Sequence, residues 1–173
     1  MLIDIFKLSL SKIKIKNWDY KKSLISKNNF LYTQEQKTEE IDTFLKIFKE
    51  DIDLSLKDFE INEYKILDVW SLSYEKNRFH QIHNHRSLGF TGIIYFDYDN
   101  SEHKSTRFII PWNDPIKDTI NIFDLDDIDE GYMIIFPSLL IHYTDPNFSE
   151  KERRIIAFDL ISKNNASHLF YQH

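Results

Sequence analysis

The sequence predicts a mainly β, antiparallel sandwich or barrel with helices laid on one face, and three observations lead there. From Tyr64 onward, about eight short strand-like segments follow one another at even spacing with no helical pattern between them. Turn-forming clusters separate them, among them Glu75-Lys76-Asn77, Asn113-Asp114-Pro115, Phe136-Pro137-Ser138 and Asp145-Pro146-Asn147. The long helical pattern comes before them, where Ile41, Phe44, Leu45, Phe48, Ile52, Leu56 and Phe59 recur at the spacing of one helical face.

In chain order, residues 2–6 and 13–15 read as strands. Residues 18–26 read as a short helix with Asp19 near its positive end, and 38–59 as the amphipathic helix. Strands are then expected at 64–75, 79–85, 90–97, 106–111, 119–123, 131–136, 139–144 and 153–161. The change in composition between residues 1–60 and 64–162 marks a change of layer within a single domain, 1–173. The 173 residues, 42% of them hydrophobic, are enough for one core.

Composition also excludes function classes. There is no cysteine, so neither a disulfide framework nor a thiolate site is available, and any metal must be held by His, Asp or Glu. A net charge of −6 disfavours nucleic acid and anionic membranes as partners. The three glycines, Gly89, Gly92 and Gly131, are too few for a P-loop or a dinucleotide fingerprint. The amino-terminal residues lack the apolar run of a signal peptide and no stretch reaches membrane-spanning length, so the expectation is a soluble, cytoplasmic protein.

The densest chemistry is Phe79-His80-Gln81-Ile82-His83-Asn84-His85, followed much later by His142. Residues two apart on a strand share a face, so His83 and His85 offer two imidazoles to one space. A third from His142 on a neighbouring strand would fill three adjacent metal positions and leave others open, as in facial triads of non-haem iron. The plainer alternative is that the histidines only pack. Further on, a buried strand from Gly131 runs through Phe136-Pro137-Ser138 to His142, and Arg153-Arg154 opens the last strand. A strand guanidinium there is suited to grip the far end of a dicarboxylate in bidentate fashion.

Taken in order, His83-x-His85, Thr91-Gly92-Ile93-Ile94-Tyr95, Gly131 through Phe136-Pro137-Ser138, His142, Pro146-Asn147, Arg153 and Phe158-Asp159 resemble the 2-oxoglutarate and iron(II)-dependent dioxygenase superfamily. The closest likeness is to its microbial and phage prolyl-hydroxylase-like branch, over residues 66–160. The resemblance implies a double-stranded β-helix (jelly-roll, cupin-like) with the N-terminal helices packed on one sheet. It implies Fe(II) held by His83, His85 and His142, and 2-oxoglutarate as co-substrate with Arg153 on its far carboxylate and Tyr95 assisting. O2 and an unidentified substrate to be hydroxylated complete the set.

The chain departs from the family pattern at His85, where a carboxylate is usual, and Asp97, Asp99 and Asp145 stand as other sources of one. Arg153 and Arg154 face opposite ways, and counting back from Phe158-Asp159 selects Arg153. Trp70 and Ser73 are read as packing residues, and Tyr95 has a core aromatic as its alternative role. Two other readings stay open: a cupin-like three-histidine metalloprotein that does not use 2-oxoglutarate, and a non-catalytic β-sandwich binding module. Substrate choice falls to loops 98–105 and 112–118, and the acidic run 124–130 reads as a solvated turn.

Overall fold

The computed structural model describes residues 8–27, 38–85, 88–114 and 119–163; the strand expected at 2–6 and part of loop 112–118 lie outside them. Strand β1 (Ser11–Lys14) leads into helices α1 (Trp18–Lys27) and α2 (Thr38–Leu56). Eight strands follow: β2 (Tyr64–Tyr74), β3 (His80–His83), β4 (Phe90–Asp97), β5 (Thr106–Asp114), β6 (Thr119–Asp124), β7 (Tyr132–Pro137), β8 (His142–Thr144) and β9 (Arg153–Ser162). They form a five-stranded sheet in the order β1-β7-β4-β9-β2 and a four-stranded sheet in the order β3-β8-β5-β6. All pairings are antiparallel. The result is a two-sheet sandwich rather than a closed barrel.

Side-chain alternation on the five-stranded sheet divides the core in two. On β9, Ile156, Phe158 and Leu160 join the helices' apolar face, while Ile155 and Ala157 join a second cluster with Tyr95 of β4 and Phe108 of the smaller sheet. With both faces covered, β4 is buried almost along its length instead of alternating between core and solvent. The helix face expected from the sequence supplies the outer cover. Phe44, Phe48, Ile52 and Leu56 have no exposure, and each contributes about 1.5–3 kcal/mol by leaving water.

Helix α2 ends in a single 3-10 turn, Lys57–Phe59, stopped by Glu60 in the left-handed region, whose N–H donates to Lys57 O. At the sheet centre, Gly92 lies under the Phe158 ring, where an added Cβ would stand 2.0 Å from Cζ. Among the described residues, no helix is long and apolar enough to cross a membrane.

Candidate metal centre

Strands β3 and β8 bring the first two histidines together, because His83 and His142 are directly opposite in the ladder. Between the paired positions His80↔Thr144 and His83↔His142, β3 spends three steps where β8 spends two. This bulge overrides simple alternation and allows His80 to face the same cavity as His83. The sequence pattern gives His80 no role, because a bulge leaves no signature in it.

The strand expected over 79–85 stops at His83, so alternation is not what places His85. Its N–H donates to Ser138 O at 3.1 Å, tying it to the turn after β7. The imidazoles still converge, with one possible ligand atom from each of His83, His85 and His142 within 4.8 Å of the others. Ring centroids lie 4.3 Å apart for His83 and His142 and 5.2 Å apart for each of the other pairs.

Hydrogen bonding decides which nitrogen His83 and His142 present. His83 Nδ1 lies 2.7 Å from Gln81 O and His142 Nδ1 lies 2.9 Å from Leu140 O. A carbonyl can only accept, so in each neutral ring Nδ1 carries the hydrogen and Nε2 keeps a lone pair. His85 Nδ1 faces Asp159 Oδ1 across 3.3 Å. Burial pushes the His142 pKa down to about 3. Burial also lowers His83, a shift partly offset by the hydrogen bond to Gln81 and reinforced by His85. Near neutral pH these two rings are unprotonated, the state a metal requires.

A cavity of about 110 Å³ adjoins the cluster, lined by the four histidines, by Trp70 and Tyr74 of β2, by Ile93, Ile155 and Ala157, and by Thr106 and Thr144. Trp70 is thus more than packing, since its ring lies 5.4 Å from that of His85. Ser73 points elsewhere and pairs with Glu152.

Arg153 belongs to this inner face and is 2% exposed. Its guanidinium donates to Lys104 O at 2.8 Å and to Asp145 O at 3.0 Å, while its Nε is buried with no hydrogen-bond partner. The ring of Tyr74, opposite Arg153 in the ladder, lies 4.5 Å from the guanidinium carbon. Burial raises the Tyr74 pKa to about 12 and depresses that of Arg153. Tyr95 is buried, and its hydroxyl donates to Thr106 Oγ1 at 3.1 Å and accepts from Thr106 N at 3.2 Å. It therefore meets the cavity through Thr106. Arg154 faces the other way, onto Asp97 and Glu152.

None of the three aspartates considered as ligands lines the cavity. Asp97 is engaged by Lys22 and Arg154, Asp99 by Lys151, and Asp145 by Arg107. The carboxylate next to the histidines is Asp159, 5% exposed, whose Oδ1 also accepts from Thr91 Oγ1 at 2.7 Å.

Comparison with known proteins agrees with this architecture. Residues 68–159 match the family described as "Putative 2OG-Fe(II) oxygenase". No curated protein sequence matches the chain. Among solved structures, a prolyl-4-hydroxylase of Pseudomonas putida superposes with a TM-score of 0.57 at 13% identity, covering 92% of this chain and 88% of that one. HygX of Streptomyces hygroscopicus, solved with nickel and 2-oxoglutarate bound, gives 0.65 at 14% identity, covering 91% and 83%. The viral collagen prolyl hydroxylase of Paramecium Bursaria Chlorella virus-1, in its 2OG complex, gives 0.53 at 15%, covering 88% and 95%. At these identities the structural likenesses establish the jelly-roll fold.

Proposed function

Because this chain belongs to the family of 2OG-Fe(II) oxygenases, where 2OG is 2-oxoglutarate, we propose that His83, His85 and His142 hold its Fe(II) through Nε2 and that Arg153 binds the far carboxylate of 2OG. The observation that supports the metal assignment is the convergence of three imidazoles, two of which turn Nδ1 to backbone carbonyls and so keep an Nε2 lone pair, while the third faces Nδ1 to Asp159. The observation that supports the co-substrate assignment is the buried Arg153, whose Nε lacks a hydrogen-bond partner and whose guanidinium lies over Tyr74, a residue of the cavity wall.

Bound iron, 2OG and O2 supply oxidative decarboxylation of the co-substrate coupled to oxidation of a C–H bond in a second substrate. The chain's own residues position and enclose. Three neutral imidazoles leave the ion its full positive charge, which favours an anionic co-substrate. The planar Arg153 guanidinium is held in place by Tyr74 and by two backbone carbonyls, so little freedom is lost when it meets a carboxylate. Tyr95 acts one step back by fixing Thr106 at the cavity wall. Trp70, Ile93, Ile155 and Ala157 keep the space apolar and exclude water.

Anaerobic reconstitution with Fe(II), followed by 2OG and then O2, tests the assignment. The expected results are one metal per chain, succinate formed on O2 exposure, and loss of metal in His142→Ala. Metal binding without 2OG binding or succinate would point to a three-histidine protein of other chemistry. Absence of metal binding would overturn the centre itself.

A further inference from the structure

We propose that Asp159 is the positioning residue of the metal centre, holding the Nδ1 side of His85 and supplying through that ring the negative charge that the three-imidazole set lacks. The inference rests on the assignment of His83, His85 and His142 as ligands. It starts from an asymmetry among the three rings. His83 and His142 turn Nδ1 to carbonyls two residues upstream, which are local and neutral acceptors. His85 turns Nδ1 to a carboxylate on β9, in the other sheet and far away in sequence.

His85 is also the ligand that lies beyond the end of its strand, so its ring depends on tertiary contacts for its aim. Those contacts form a closed circuit. Thr91 stands directly opposite Asp159 in the β4–β9 ladder and donates to its Oδ1 at 2.7 Å. Thr91 Oγ1 is 2.9 Å from Ser138 Oγ, and Ser138 O accepts the His85 N–H at 3.1 Å. Asp159 is therefore held before it meets the imidazole.

A carboxylate behind a metal-bound imidazole orients the ring and raises its basicity, and loss of such a partner weakens metal binding by about 10–100-fold. A charge-assisted bond is also about twice as strong as a neutral one. The usual family carboxylate would act on the ion directly; here it acts one ring removed.

Asp159→Asn keeps an oxygen acceptor for Thr91 and His85 and removes the charge, so it isolates the electrostatic contribution. Co(II) affinity, measured by competition with a chelator, should fall about 10–100-fold in Asp159→Asn. The exchangeable Nδ1–H signals of the Co(II) protein should report three coordinated imidazoles in the wild type, with the signal of His85 shifted in the variant. If Asp159 works through His85, Asp159→Asn should have no further effect on Co(II) affinity in a His85→Ala background. Thr91→Val, which leaves the carboxylate but removes one of its partners, should lower stability while changing Co(II) affinity by only a few-fold.

Equal Co(II) affinity in wild type and Asp159→Asn would overturn the proposal while leaving the three-histidine centre intact. So would additivity with His85→Ala, or an equal loss in Thr91→Val, since either would make the effect structural. A wild-type protein that binds no Co(II) would overturn the ligand assignment and this proposal together.

Discussion

Replacing Arg153 is the sharpest test of the co-substrate site. A bidentate guanidinium–carboxylate contact comprises two charge-assisted hydrogen bonds, each worth about 1.5–3 kcal/mol. Arg153→Ala should therefore weaken 2OG binding by roughly 3–6 kcal/mol, about 10²- to 10⁴-fold. The substitution also strips the donors from Lys104 O and Asp145 O, so stability falls by about 1–3 kcal/mol for each carbonyl left unsatisfied. Metal affinity should be retained, because the histidines are held by other contacts. Arg154→Ala is the control. That side chain pairs with Asp97 at 3.2 Å and Glu152 at 2.9 Å on the opposite face, where a partly exposed pair is worth about 0–1 kcal/mol. Anaerobic calorimetric titration of the Fe(II) protein with 2OG gives the affinity, and metal analysis of the same samples gives occupancy. A loss of less than tenfold in Arg153→Ala, or the larger loss in Arg154→Ala, would refute the assignment.

Metal-stripped protein should lose stability as pH falls from about 6.5 towards 3, because the unfolded chain protonates His142 at its ordinary pKa of about 6.5 while the folded chain resists until about 3. The unfolded state then binds more protons, so stability declines by about 1.4 kcal/mol per pH unit for this one ring, and urea titrations of His142→Gln should show a shallower slope; parallel slopes would contradict the burial argument. Gly92→Ala should destabilise the fold by about 1–3 kcal/mol, because the new Cβ meets the Phe158 ring, which is packed against Phe44. An unchanged urea midpoint would show that the ring has room to move.

The legible part of this protein was its periodicity. The apolar stripe from Ile41 to Phe59 specified a helix that buries one face, and it does so against Phe158 and its neighbours. The spacing of turn residues placed the eight strands from β2 to β9 to within a few residues. Alternation made it legible that Arg153 and Arg154 face opposite ways, and β9 is regular enough against β2 for its faces to hold, but the choice of Arg153 came from the family resemblance. The histidine cluster was legible as a composition of ligands at the right intervals.

What failed to show was everything that depends on irregular backbone or on pairing between distant strands. The bulge in β3 admits His80 to the cavity, and the early end of that strand means that strand alternation does not place His85. Tyr74 covers Arg153 because the two are cross-strand partners, seventy-nine positions apart in the chain. The sequence by itself determined the secondary elements, the mainly antiparallel β class and the kind of atoms that could bind a metal, because these follow from local periodicity and residue chemistry. Only the tertiary structure decided which nitrogen His83 and His142 present and that Asp159 stands behind His85. Those outcomes depend on β4, β9 and the turn after β7 meeting at one point, and no local pattern encodes that meeting.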